Sequence, residues 1–112
     1  MMKAIICALL LWWAGSALAA EVVWLDVRSV QEFQAGHLDG ALNLPHDQIE
    51  KITTLIADKT TPVKLYCRSG RRSALALEAM KKLGYTQLEN AGGYQQLKAQ
   101  HQLGLQDKPD GV

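Results

Sequence analysis

The sequence predicts a small single α/β domain, a largely parallel sheet flanked by helices, and three observations carry that reading. Short apolar or β-branched runs at 22–25, 41–44 and 63–66 alternate with stretches of helical periodicity. Two of those stretches open on a capping-box pattern, Ser29-x-x-Glu32 and Asp47-x-x-Glu50. No strand needs a hairpin partner, so each connection crosses over a helix, which is the signature of parallel pairing.

The elements follow in order. Val22 to Leu25 reads as a strand buried on both faces. Asp26-Val27-Arg28 leads into a short helix over Val30 and Phe33, closed by Gly36, with Phe33 expected in the core. Gly36 to Gly40 is a turn, and Ala41 to Leu44 is a second strand stopped by Pro45. The Asp47 box opens a helix with Ile49, Ile52, Leu55 and Ile56 on one face. Val63 to Tyr66 is the third strand, and an alanine-rich apolar pattern from Ala74 to Leu83 is a helix lying close on a sheet. Leu83-Gly84-Tyr85 reads as a glycine C-cap with a hydrophobic residue beyond it. Thr86 to Glu89 is expected to be a short strand, Asn90 to Gly93 a loop, and Tyr94, Leu97 and His101 mark a last helix. No repeat, linker or low-complexity segment interrupts the pattern.

The start of the chain has a separate logic. Lys3 precedes an apolar run from Ala4 to Ala14, and Ala17-Leu18-Ala19 fits a signal-peptidase site. Residues 1–19 are therefore expected to be a removed signal peptide, 20–104 the domain and 105–112 a frayed polar tail. A retained anchor is the alternative, but the uncharged stretch from Ala4 to Ala20 sits at the lower limit for spanning. Loss of Lys3 leaves eleven basic and eleven acidic residues, so no bulk charge attracts nucleic acid or a membrane surface. Loss of Cys7 leaves Cys67 alone, in a protein expected in an oxidising compartment, the periplasm. A lone thiol there is either buried and inert or present for chemistry.

The stretch Pro62 to Ser73, PVKLYCRSGRRS, decides between these. A strand delivers Cys67 to a loop of Arg68, Ser69, Gly70, Arg71 and Arg72, with Ser73 opening a helix. Amides curling around the sulfur, the positive end of the helix and three guanidinium groups all favour a thiolate over a thiol. Gly70 gives the backbone the freedom for such a curl. The arrangement suits a small anionic substrate and a covalent intermediate that keeps its negative charge. His37, His46 and His101 are scattered and read as surface or capping residues; with one thiol they make no metal site, and no cofactor is implied.

These segments resemble the rhodanese (sulfurtransferase) family, as a single-domain exported member. WLDVRSVQEFQAGHLDGALNLP, from Trp24 to Pro45, is similar to that family's first signature, CRSGRRS to its active-site loop, and NAGGY to its closing motif. The resemblance implies that thiosulfate gives its outer sulfur to Cys67 and that the persulfide passes it to a thiophile such as cyanide. It implies that Arg68, Ser69, Gly70, Arg71, Arg72 and Ser73 bind the substrate and persulfide, with Arg71 and Arg72 facing the donor. It implies that Asp26 and Arg28 brace the site from the first strand and that Gly92 and Gly93 form a tight turn beside it. Cysteine phosphatases of related fold carry the phosphate-binding arginine six residues after the cysteine; here position 73 is serine and the arginine is at 72. That shorter loop fits a sulfur atom better than a phosphoryl group.

The expected partners are thus a small anionic sulfur donor and a thiophilic acceptor, with a protein acceptor as an option and the chain a monomer. Two other functions share the same loop. One is a persulfide carrier that hands sulfur to another exported protein, and the other is a redox-sensing thiol that forms sulfenic acid.

Overall fold

The computed structural model describes residues 21–111, with side chains through residue 102. The expected signal peptide and its cleavage site lie outside the described residues, and so do the side chains of the expected tail. Four strands, β1 (Val23–Asp26), β2 (Leu42–Asn43), β3 (Val63–Cys67) and β4 (Leu88–Gly93), form one sheet in the order β2-β1-β3-β4. Every pair is parallel, as the helix-crossing connections require.

Alternation along the strands sends side chains to two separate cores. Leu25, Val63, Leu65 and Cys67 face one cluster, with Val27, Ile49, Ile52, Met80 and Tyr85. Tyr66 faces the other, with Leu38, Ala41 and Leu97, and Trp24, Phe33 and Tyr94 pack against it. Helix α3 (Arg71–Lys82) covers the first face together with a 3-10 turn (His46–Lys51) that runs into α2 (Ile52–Leu55). The short α1 (Val30–Ala35) and α4 (Tyr94–Gly111) lie on the second. Among the described residues no helix is long and apolar enough to cross a membrane.

Local chemistry explains most of the element ends. Ser29 accepts from the Glu32 amide at 3.1 Å and Glu32 reaches back to the Ser29 amide at 3.0 Å, a complete capping box. At the far end of α3 the Tyr85 amide bonds the Met80 carbonyl and the Gly84 amide the Lys81 carbonyl, the Schellman pattern that Leu83-Gly84-Tyr85 predicted. The Tyr85 hydroxyl donates to the Ile56 carbonyl, tying that turn to the end of α2.

Three expectations need correction. The Asp47 box does not form: Pro45 caps a 3-10 turn with no side-chain bond, and the Gln48 amide bonds the Pro45 carbonyl instead. Leu55, expected on the buried face, is exposed, because the α-helical part is a single turn and does not keep one face inward. Asn90 to Gly93 is not a loop but the end of β4, which pairs with β3 through Cys67 opposite Gly93. Asn90 faces Leu65 and Gly92 faces Tyr66, leaving Ala91 as the extra residue of a bulge.

Candidate active site

Cys67 ends β3, and the chain turns at once through Arg68, Ser69 and Gly70 into α3. Gly70 is the residue that makes the turn, at φ +95, a left-handed conformation open to glycine without strain. The turn aims the Gly70 amide at Cys67 Sγ, 3.0 Å away. Ser73 Oγ lies 3.5 Å from the same sulfur. Burial pushes the thiol up, but bonds from the Ser73 hydroxyl and from the amides of Ser73, Ser69 and Gly70 outweigh it. The net effect lowers the Cys67 pKa from the ordinary thiol value.

The side chain has no solvent-exposed surface. Its apolar neighbours belong to the first core cluster, while its sulfur meets the amides of the loop. Gly93 closes it from the β4 side. A Cβ at Gly93 would lie 2.6 Å from the Arg68 carbonyl oxygen, so only glycine admits this approach of two backbones. Gly92 lies against Gly70 at ordinary contact distance, a Cβ on Gly70 reaching 3.4 Å from its Cα.

The three arginines of the loop separate. Arg68 and Arg71 are exposed. Arg72 instead donates from Nη1 and Nη2 to the two Glu32 oxygens at 2.8 and 3.0 Å. That bidentate pair, with help from Ser29, holds the Glu32 carboxyl at about 2 against burial. Glu32 was legible only as a capping residue; a contact forty positions away leaves no local signal.

Asp26 and Arg28 form a buried pair on the other face. Arg28 donates to Asp26 from its amide, Nε and Nη2, the last at 2.6 Å, and Nη2 also reaches the Gly36 carbonyl at 2.7 Å. The guanidinium lies 4.4 Å from the Tyr94 ring centroid and 5.6 Å from that of Tyr66. Tyr66, buried beside Asp26, has its hydroxyl pushed well above the ordinary tyrosine value, burial being the largest cause. The pair therefore ties β1, α1 and the start of α4 together. A cavity of about 430 Å³ opens next to it, lined by Arg28, Glu32, Gly36, Arg68, Tyr94 and Lys98 among others, and Cys67 does not line it.

His37 and His101 make local contacts. His37 stacks on Phe33 and bonds its carbonyl, and His101 lies against Trp24 and bonds the Leu97 carbonyl. Among the described residues no cluster of metal-ligating side chains occurs. Asn90, part of the NAGGY motif but given no role of its own from the sequence, is bonded to the cysteine loop. Its Oδ1 accepts from the Ser73 hydroxyl at 2.7 Å and the Gly92 amide at 3.1 Å, and its Nδ2 donates to the Gly70 carbonyl at 2.9 Å.

Comparison with known proteins agrees with this fold. Residues 13–100 match the rhodanese-like domain. The chain is 45% identical over 71 residues to the thiosulfate sulfurtransferase PspE of Escherichia coli, covering 62% of this chain and 68% of that protein. It is 33% identical over 66 residues to the putative sulfur carrier protein YrkF of Bacillus subtilis, covering 59% of this chain but 35% of the relative. Among solved structures, a rhodanese with anions from E. coli superposes with a TM-score of 0.64 at 42% identity, covering 67% of this chain and 89% of that one. The human single-domain sulfurtransferase TSTD1 does so with 0.62 at 28% identity, covering 70% and 81%. The expected enzyme class, a rhodanese-type sulfurtransferase, agrees with these relatives. With its parallel sheet, its cysteine at the end of β3 and its match over most of its length, the chain belongs to the rhodanese-like domain family.

Proposed function

We propose that the protein is a thiosulfate sulfurtransferase that works through a persulfide on Cys67. The observation that carries this is the Gly70 amide 3.0 Å from Sγ, in a turn whose bonds lower the thiol pKa despite burial. The Cys67 thiolate attacks the outer sulfur of thiosulfate; the new S–S bond forms as the donor's S–S bond breaks, and sulfite leaves with the electron pair. Cyanide or another thiophile then attacks the outer sulfur of the persulfide and restores the thiolate. Neither step consumes a proton, so a thiolate already present needs no general base. The amides that hold the thiolate also suit the anionic persulfide and the charge in transit between them.

Arg68 and Arg71, exposed at the turn, supply the positive field for an anionic donor. Because Cys67 is covered in this structure, the donor reaches it only when residues 68–72 shift away from Gly92 and Gly93. The protein acts in the periplasm on this reading, after removal of residues 1–19, as a monomer without a cofactor. Thiocyanate formation from thiosulfate and cyanide tests the proposal, with wild type and Cys67→Ala side by side. Activity confined to the wild type supports it, and equal rates would end it.

The covered thiol favours a second reading, in which a protein partner opens the loop and takes the sulfur. Similarity to the putative sulfur carrier YrkF points the same way. This carrier would accept sulfur from thiosulfate but turn over slowly with cyanide.

A further inference from the structure

The Ser73 hydroxyl has one proton and two neighbours that want it. Asn90 Oδ1 lies 2.7 Å from Ser73 Oγ, and Cys67 Sγ lies 3.5 Å from it. The Asn90 amide cannot be turned around: its oxygen meets the Gly92 N–H and its nitrogen meets the Gly70 carbonyl, and a flip would set donor on donor and acceptor on acceptor. Asn90 therefore presents an acceptor to Ser73, and at 2.7 Å the proton lies between those two oxygens. In that orientation Ser73 turns its lone pairs to the sulfur, which suits a neutral thiol that donates S–H; in the other it donates to Sγ across 3.5 Å, the bond that favours the thiolate.

We propose that Asn90 is a positioning residue for the reactive sulfur, holding the Ser73 proton while the sulfur is neutral and releasing it to the sulfur when that becomes an anion. The inference rests on Cys67 being the sulfur carrier and adds a residue and a switch to that reading. Both side chains are placed for it. Ser73 is fully buried at the first turn of α3, so no water competes for its hydroxyl. Asn90 is set at this spot by the β4 bulge, which changes the register between Leu65 and Tyr66. The rotation makes and breaks no covalent bond; the hydroxyl exchanges a neutral bond to an amide oxygen for a charge-assisted bond to sulfur.

Removing the competing acceptor should therefore favour the thiolate, although it also loosens the loop. Iodoacetamide alkylation of Cys67 as a function of pH gives the ionisation midpoint without any sulfur-transfer assay. Asn90→Ala is expected to lower that midpoint by about half to one pH unit. Ser73→Ala should raise it, and in a Ser73→Ala background Asn90→Ala should shift it no further. Asn90→Asp, which keeps the acceptor and the size, serves if Asn90→Ala does not fold. It should raise the midpoint, and by more when Ser73 is present than when it is alanine. Equal shifts in both backgrounds would show that Asn90 only clamps the loop, and the switch would be discarded. Loss of persulfide formation in the wild type with the midpoints behaving as expected would instead overturn the proposed function and leave the proton competition standing.

Discussion

Arg72 and Glu32 meet through two parallel hydrogen bonds of 2.8 and 3.0 Å, joining the first turn of α3 to α1 across forty residues. Both side chains are about 30% exposed, so solvent screens the pair. The Glu32 carboxyl falls from 4.5 to about 2, below its unfolded value. Its contribution is therefore complete above about pH 4.5 and lost as pH falls towards 2. Denaturant titration should show Glu32→Gln less stable than wild type at neutral pH by about 1–2 kcal/mol after discounting for screening. The gap should close through that acid window; a gap unchanged by acid would show that the pair contributes nothing.

On the proposed function, Arg68 and Arg71, exposed at the turn, recruit the anionic donor while Arg72 pairs with Glu32. Each alanine variant should raise the KM for thiosulfate several-fold, an effect that salt weakens because both side chains are exposed. Arg72→Ala should change KM less and stability more. Steady-state kinetics at two ionic strengths checks this, and a larger KM effect at Arg72 would contradict it.

Gly93→Ala tests the covering of the thiol. The added methyl meets the Arg68 carbonyl at 2.6 Å, where backbone must yield. The expected cost is about 1–3 kcal/mol, read by thermal unfolding. The Gly70 amide should move off the sulfur, and the alkylation midpoint should rise towards the ordinary thiol value. A variant of wild-type stability and reactivity would mean that the two backbones are not held together.

Asp26→Ala leaves the Arg28 guanidinium buried without its carboxylate, beside Tyr94 and Tyr66. A loss of about 3–5 kcal/mol is expected. Unfolding in urea measures it, and a loss under 1 kcal/mol would show that Arg28 finds other partners.

The parts of the fold readable from sequence are those encoded by near neighbours. The Ser29 box, the Leu83-Gly84-Tyr85 cap and the apolar run into Cys67 depend on residues within a turn or two of each other. Asp47-x-x-Glu50 had the same pattern and failed, because Pro45 began a tighter turn that left the Asp47 side chain nothing to cap. Asn90, Gly92 and Gly93 are poor strand formers, and β3 recruits them by pairing across a bulge that no local preference announces. The same limit applied at the site: Gly70 was legible as the turn residue, whereas Glu32 on Arg72 and Asn90 on Ser73 are meetings of distant segments.

The most direct test is the mass of the Cys67-containing peptide from the purified protein before and after incubation with thiosulfate. The account predicts one added sulfur on Cys67 with release of sulfite, reversed by cyanide and absent from Cys67→Ala. An unchanged mass on a thiol that alkylates readily would contradict it.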